Sequence, residues 1–170
     1  MKKIILTIFV LITTTLFVNA QQVIELPYSK MINKNAGKWD KWNSKWDSEE
    51  GNVGSNPLII FKKESNTKFS LLFISNFPES MTGVFEDVVY DADKTKQIRK
   101  KNSNPNLTAY KFLNSKRYVW TDNITLEEIC RDPSKWKKTK NAKIYFWNPD
   151  SALLYTSGVG LSASQIEAMF

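Results

Sequence analysis

Three tryptophans, Trp39, Trp42 and Trp46, fall within the ten residues Lys38-Trp39-Asp40-Lys41-Trp42-Asn43-Ser44-Lys45-Trp46-Asp47. Flat aromatic faces beside hydrogen-bonding side chains are what sugar-ring recognition uses, so these three are the candidate ligand-binding residues. Spacing of i, i+3, i+7 aligns them on one face of a helix, whereas a strand divides them between two faces. The competing role is packing. Aromatic residues make up 13% of the chain, and a core built from them must take several of these rings inside.

Catalysis has little to work with. The chain has no histidine, which removes the commonest general base, the usual partner of a nucleophile and the most versatile metal ligand. Glu86, Asp87, Asp91 and Asp93 lie close enough in sequence for a carboxylate pair to do acid–base work on a glycan. At a strand end and in its turn, however, such residues are ordinarily solvated. Asp91-Ala92-Asp93 also begins like a calcium loop, but that loop needs glycine at its sixth position and glutamate at its twelfth. Lys96 and Asn102 stand there instead. No catalytic residue, metal site or cofactor is assigned, and the chain is read as a non-enzyme.

Basic residues gather at Lys94, Lys96, Arg99, Lys100 and Lys101, and again at Lys135, Lys137, Lys138, Lys140 and Lys143. Either group attracts an anionic polymer, or keeps a domain soluble and protects strand edges. The sole cysteine, Cys130, has no intrachain partner and reads as a small buried hydrophobe.

The elements that must position these residues are mostly strands. Leu58–Lys63 and Lys68–Ser75 form a hairpin through Glu64-Ser65-Asn66-Thr67. Val84–Tyr90 pairs with an expected strand at Thr95–Lys101 through Asp91–Lys94. Leu107–Leu113 returns as Arg117–Trp120. Lys143–Trp147 meets Ala152–Thr156 across Asn148-Pro149-Asp150-Ser151, where proline presets φ. With Val23–Tyr28 and a strand near Lys38–Trp42, nine or ten strands result. One short helix starts at Thr125-Leu126-Glu127-Glu128, a capping-box pattern, and ends before Pro133. The fold class is therefore all-β, a mainly antiparallel small barrel or barrel-like sandwich with one short helix.

The first twenty residues carry an export signal: Lys2-Lys3, an apolar stretch from Ile4 to Val18, then Val18-Asn19-Ala20. Thr7 and Thr13-Thr14-Thr15 dilute the stretch below the about 20 apolar residues that a membrane span needs. Cleavage is expected after Ala20, leaving a single β-rich domain at 21–157 and a C-terminal tail at 158–170. Loss of Lys2 and Lys3 lowers the formal charge of +7 by two. A basic exported protein meets anionic envelope glycans or a protein partner, and nucleic acid is excluded as a partner. Cysteine is absent at the new N-terminus, so no lipid anchor is expected there. The product is soluble and periplasmic or secreted.

This layout resembles short exported proteins of unassigned function from Bacteroidota: a lysine-led signal ending in Ala before Gln, a Trp-rich segment at Trp39–Trp46, the Leu58–Ser75 hairpin, a Val-Val-Tyr-Asp-Ala segment and a late Tyr-rich hairpin. The resemblance implies no activity. Asp150-Ser151-Ala152 looks like the Asp-Ser/Thr-aliphatic acceptor of those bacteria's O-glycosylation system, which makes Ser151 a candidate acceptor. The function expected is non-catalytic binding or interaction with a glycan, lipid or protein partner. The alternative is a protein-surface inhibitor or structural envelope protein, followed by a small outer-membrane barrel or an enzyme.

Overall fold

The computed structural model describes residues 21–33, 38–44, 57–65, 68–74 and 84–157. Within them lie ten strands: β1 (Gln22–Glu25), β2 (Tyr28–Asn33), β3 (Lys38–Ser44), β4 (Leu58–Lys63), β5 (Phe69–Ile74), β6 (Glu86–Tyr90), β7 (Thr108–Phe112), β8 (Tyr118–Asp122), β9 (Lys143–Asn148) and β10 (Leu153–Thr156). All pair antiparallel in one sheet of order β1-β4-β5-β6-β7-β8-β9-β10-β2-β3. The expected fold class is the one observed.

The order contains its own closure. β1 is the first strand in the sheet and β2 the ninth, yet only Leu26 and Pro27 separate them in the chain. Three residue steps reach about 10 Å, so the sheet must curl until its two sides nearly meet. Val23–Tyr28 is thus not one strand. Proline offers no N–H to a ladder, and at Pro27 the chain changes partner, from β4 to β10. Leu26 anchors the switch by donating its N–H to the Pro57 carbonyl at 2.7 Å while its side chain is fully buried. The free side of β2 is taken by β3.

The expected strand at Thr95–Lys101 is instead a helix, α1 (Ala92–Asn102). Asp91 is its N-cap: the side chain accepts from the Lys94 N–H at 2.9 Å. The segment behind it is rich in Lys, Arg, Gln and Ala, all strong helix formers. Its buried positions, Thr95 and Ile98, are three apart, and Arg99, Lys100 and Lys101 complement the negative C-terminal end of the dipole. α1 lies on the outer face of the sheet over β7, fixed by the Ala109 N–H to Thr95 Oγ1 bond at 2.9 Å and by Arg99 Nε donating to the Leu107 carbonyl at 2.6 Å. Beneath it Ile98, Leu107, Ala109, Trp120, Tyr145 and Leu154 form an outer apolar cluster.

The expected helix is α2 (Leu126–Arg131), with both bonds of the capping box present. Pro133 ends it and opens a further short turn, α3 (Ser134–Lys138). α2 covers the end of the barrel interior where β6, β8 and β10 end, and there Leu126 and Ile129 join the inner cluster with Cys130 and Trp136 against it. Thr125→Ala is expected to cost about 1 kcal/mol, read from chemical denaturation. The Glu128 carboxyl is pushed up by burial, but bonds from Thr125 and Lys135 outweigh this and hold it below its ordinary range. Its contribution is present above that range and lost as pH falls through the lowered folded value. Glu128→Gln should therefore flatten that part of the acid limb.

Candidate functional site

The sequence candidates do not converge. Trp39 and Trp42 lie in the strand β3 rather than in a helix, and Trp46 lies outside the described residues. Ser151 sits exposed in the β9–β10 turn, built by Asp150 N–H donating to Asn148 Oδ1 at 3.1 Å and Ala152 N–H to the Pro149 carbonyl at 3.3 Å. The four carboxylates separate: Glu86 pairs with Arg117, Asp87 with Lys68, Asp91 caps α1, and Asp93 is exposed in its first turn. Among the described residues no group of three His, Cys, Asp or Glu could hold a metal ion. The lysine-rich segments are divided as well. Arg99 anchors α1, Lys94 donates to Gln97 and Lys135 pairs with Glu128, while Lys96, Lys100, Lys101, Lys137 and Lys140 are exposed.

What the fold does bring together is a set of inward-facing residues at the end opposite α2, where β6, β8 and β10 begin and β5, β7 and β9 end. Cross-strand partners share a face. The deeper inward positions are sealed: Ile59, Phe61, Leu71, Val88, Tyr110, Val119, Ile144 and Phe146 are all buried. Toward the hairpin-loop end, Phe73, Glu86, Arg117, Asn148 and Leu153 each keep part of their surface exposed. The sealed layer thus lies in the middle of the strands, with partly exposed inward residues at the hairpin-loop end and, at the α2 end, Tyr90, the 51%-exposed partner of Tyr110.

The floor of this layer is aromatic. Phe73 stacks face to face on Phe146, centroids 4.0 Å apart and planes within 7°, with Tyr155 at 4.8 Å and tilted. Phe112 meets Phe146 edge-on at 5.7 Å. The wall is charged. Arg117 donates from Nη2 to Glu86 Oε1, and their side chains retain 24% and 22% of their surface. The guanidinium lies 5.0 Å over the Phe112 ring, and its Nε donates to Ser115 Oγ at 3.0 Å. Burial lowers the proton affinity of Arg117 while Asp150 opposes the shift, and a guanidinium stays charged at any ordinary pH. A cation held on three sides is a rigid, planar donor array.

Arg117 and Phe73 escaped the sequence reading, and Glu86 entered it only as one of four neighbouring carboxylates, not as the partner of Arg117. Arg117-Tyr118-Val119-Trp120-Thr121 is apolar on both faces, and the larger rings face outward, so alternation alone points the arginine to solvent. The usable signal was phase: Arg117 shares parity with Val119 and Thr121.

Cys130 is partly buried against the inner cluster, and burial pushes its thiol up to about 11. The thiolate is the reactive form. Alkylation of the folded protein at pH 8 should be on the order of 100-fold slower than that of an ordinary cysteine peptide, with full speed on unfolding.

No protein-family model, curated protein or solved structure matches the chain.

Proposed function

We propose that the chain is an exported, non-catalytic binding domain that takes a small ligand into the hairpin-loop end of its barrel interior. The observation that carries this reading is the step from sealed inward residues in the middle of the strands to partly exposed ones, over an aromatic floor, at the hairpin-loop end. An eight-stranded barrel is the size at which side chains either fill the interior or leave room for one small ligand, and the curled sheet here runs from β1 through β4 to β10 and on to β2, its two sides joined in the chain by Leu26 and Pro27. The strands have four to seven residues, against about 9 to 11 for a membrane-spanning strand, and the interior is apolar where a membrane barrel's is polar. Both features support a water-soluble product. No helix among the described residues is long and apolar enough to cross a membrane.

A neutral fluorescent naphthylamine probe tests the reading. The folded protein should take it up at one site, and Leu153→Trp, which fills the floor, should abolish uptake without loss of the circular dichroism of the fold. Unchanged uptake in that variant sinks the proposal. Intact mass of the exported protein should give Gln21 as its first residue, and a hexose-bearing peptide across Ser151 would establish the acceptor.

A second reading is a protein-surface inhibitor. It is favoured by Val84 and Leu113, which are 79% and 53% exposed at the same end of the barrel. Absence of probe uptake together with partner binding that falls in Leu113→Asp would select it.

A further inference from the structure

We infer that the ligand is a neutral sugar ring rather than an anionic glycan or a lipid, an inference that rests on the binding site proposed above. Charge comes first. Glu86 and Arg117 neutralise each other, and the exposed Asp150 adds a further negative charge that favours the charged guanidinium. An anionic ligand would have to displace Glu86 and leave a largely buried carboxylate without its partner, which is an unfavourable exchange. A cation would meet Arg117. A neutral ligand lets the pair stand.

The polar groups fit hydroxyls. Glu86 is an acceptor with a second oxygen, Arg117 carries five N–H donors of which Nε and Nη2 are engaged, and Asn148 spends its oxygen on the Asp150 N–H while its NH2 group is a donor. Donors and acceptors fixed side by side match adjacent hydroxyls, each of which both gives and takes a hydrogen bond. The floor fits the rest of the ring. Phe146 covers one face of Phe73, and Phe73 still keeps exposed surface, so the C–H groups of a sugar have aromatic surface to rest on.

Depth excludes an alkyl chain. Below the floor Leu71, Tyr110, Val119 and Ile144 leave no more than 1% of their surface accessible, and interiors packed this way have no room for added methylenes.

Saturation-transfer NMR and calorimetry on the mature protein decide the matter, with maltose, lactose and chitobiose as neutral probes, a hyaluronan disaccharide as the anionic probe and laurate as the lipid probe. At least one neutral disaccharide should bind, weakening about tenfold in Phe73→Ala, with Arg117→Lys as a second variant that keeps the charge and loses the planar fork. Glu86→Gln should let the hyaluronan disaccharide bind at low salt, because it leaves the guanidinium unneutralised. Binding of laurate or the anionic disaccharide to the unaltered protein in preference to every neutral probe overturns the sugar inference and leaves the binding site standing. Absence of binding by all five probes, with naphthylamine uptake intact, overturns the sugar inference alone. Loss of both overturns the site as well.

Discussion

Phe146→Ala should lower the folding free energy by about 3–5 kcal/mol, the largest effect of any single truncation considered for this barrel. The ring is fully buried and contacts Phe73 face to face, Phe112 edge-on and Tyr155 at 6.1 Å. Those partners come from β5, β7 and β10, so one side chain ties together three strands on different sides of the curl. Nothing nearby can collapse into the space it leaves, because its neighbours are rings held by their own strands. Urea denaturation reads the loss directly. Phe146→Leu, which keeps most of the volume, should recover much of it. If both variants lose less than about 1 kcal/mol, the aromatic floor is not a packed layer.

Tyr110→Phe should cost about 2–3 kcal/mol by a different route. Tyr110 lies inside the barrel and reaches α2, where its hydroxyl donates to Glu127 Oε2 at 2.7 Å and accepts from the Leu126 N–H at 3.1 Å. Removing one oxygen deletes a bond to a charged group and strands a buried backbone donor at the start of a helix. The change also alters the alkaline limb. Burial and the Glu127 carboxylate raise the Tyr110 hydroxyl well above its ordinary value of 10.0. The unfolded chain therefore releases this proton near pH 10 while the folded chain keeps it. Stability from this source is complete below that pH and falls as pH rises through it toward the raised folded value. Burial shifts Tyr145 and Tyr155 the same way. Wild type should lose stability steeply above pH 10, and Tyr110→Phe should show a slope shallower by about one proton.

The hairpins were legible because their information is local. Leu58–Lys63 and Phe69–Ile74, like Lys143–Asn148 and Leu153–Thr156, are short runs of β-branched, aliphatic and aromatic residues with turn residues between them. The capping box at Thr125 was equally local. α1 was misread because Asp91-Ala92-Asp93-Lys94 serves both as a turn and as a helix N-terminus. What decides is the spacing of Thr95 and Ile98 against Ala109 and Trp120, and those partners lie beyond the local window. Closure was hidden for the same reason. Pro27 marks a break in pairing, but the choice of β4 before it and β10 after it depends on strands thirty and more than a hundred residues away.

The Trp39–Trp46 segment drew attention through composition, whereas the site proposed instead rests on phase. Glu86 and Arg117 are 31 residues apart and become neighbours only because β6, β7 and β8 run side by side. Half of this strand group is buried on both faces, since α1 covers the outside. In such strands alternation cannot distinguish inward from outward, and an inward arginine looks like a surface one.

The claim that the interior is open at the hairpin-loop end and sealed beneath it is tested most directly by thiol accessibility. In a Cys130→Ala background, Leu153→Cys lies in the partly exposed layer and Val119→Cys in the sealed one. Iodoacetamide should modify Leu153→Cys in the native protein and Val119→Cys only on unfolding. Equal protection of both, or equal reactivity of both, would contradict the account.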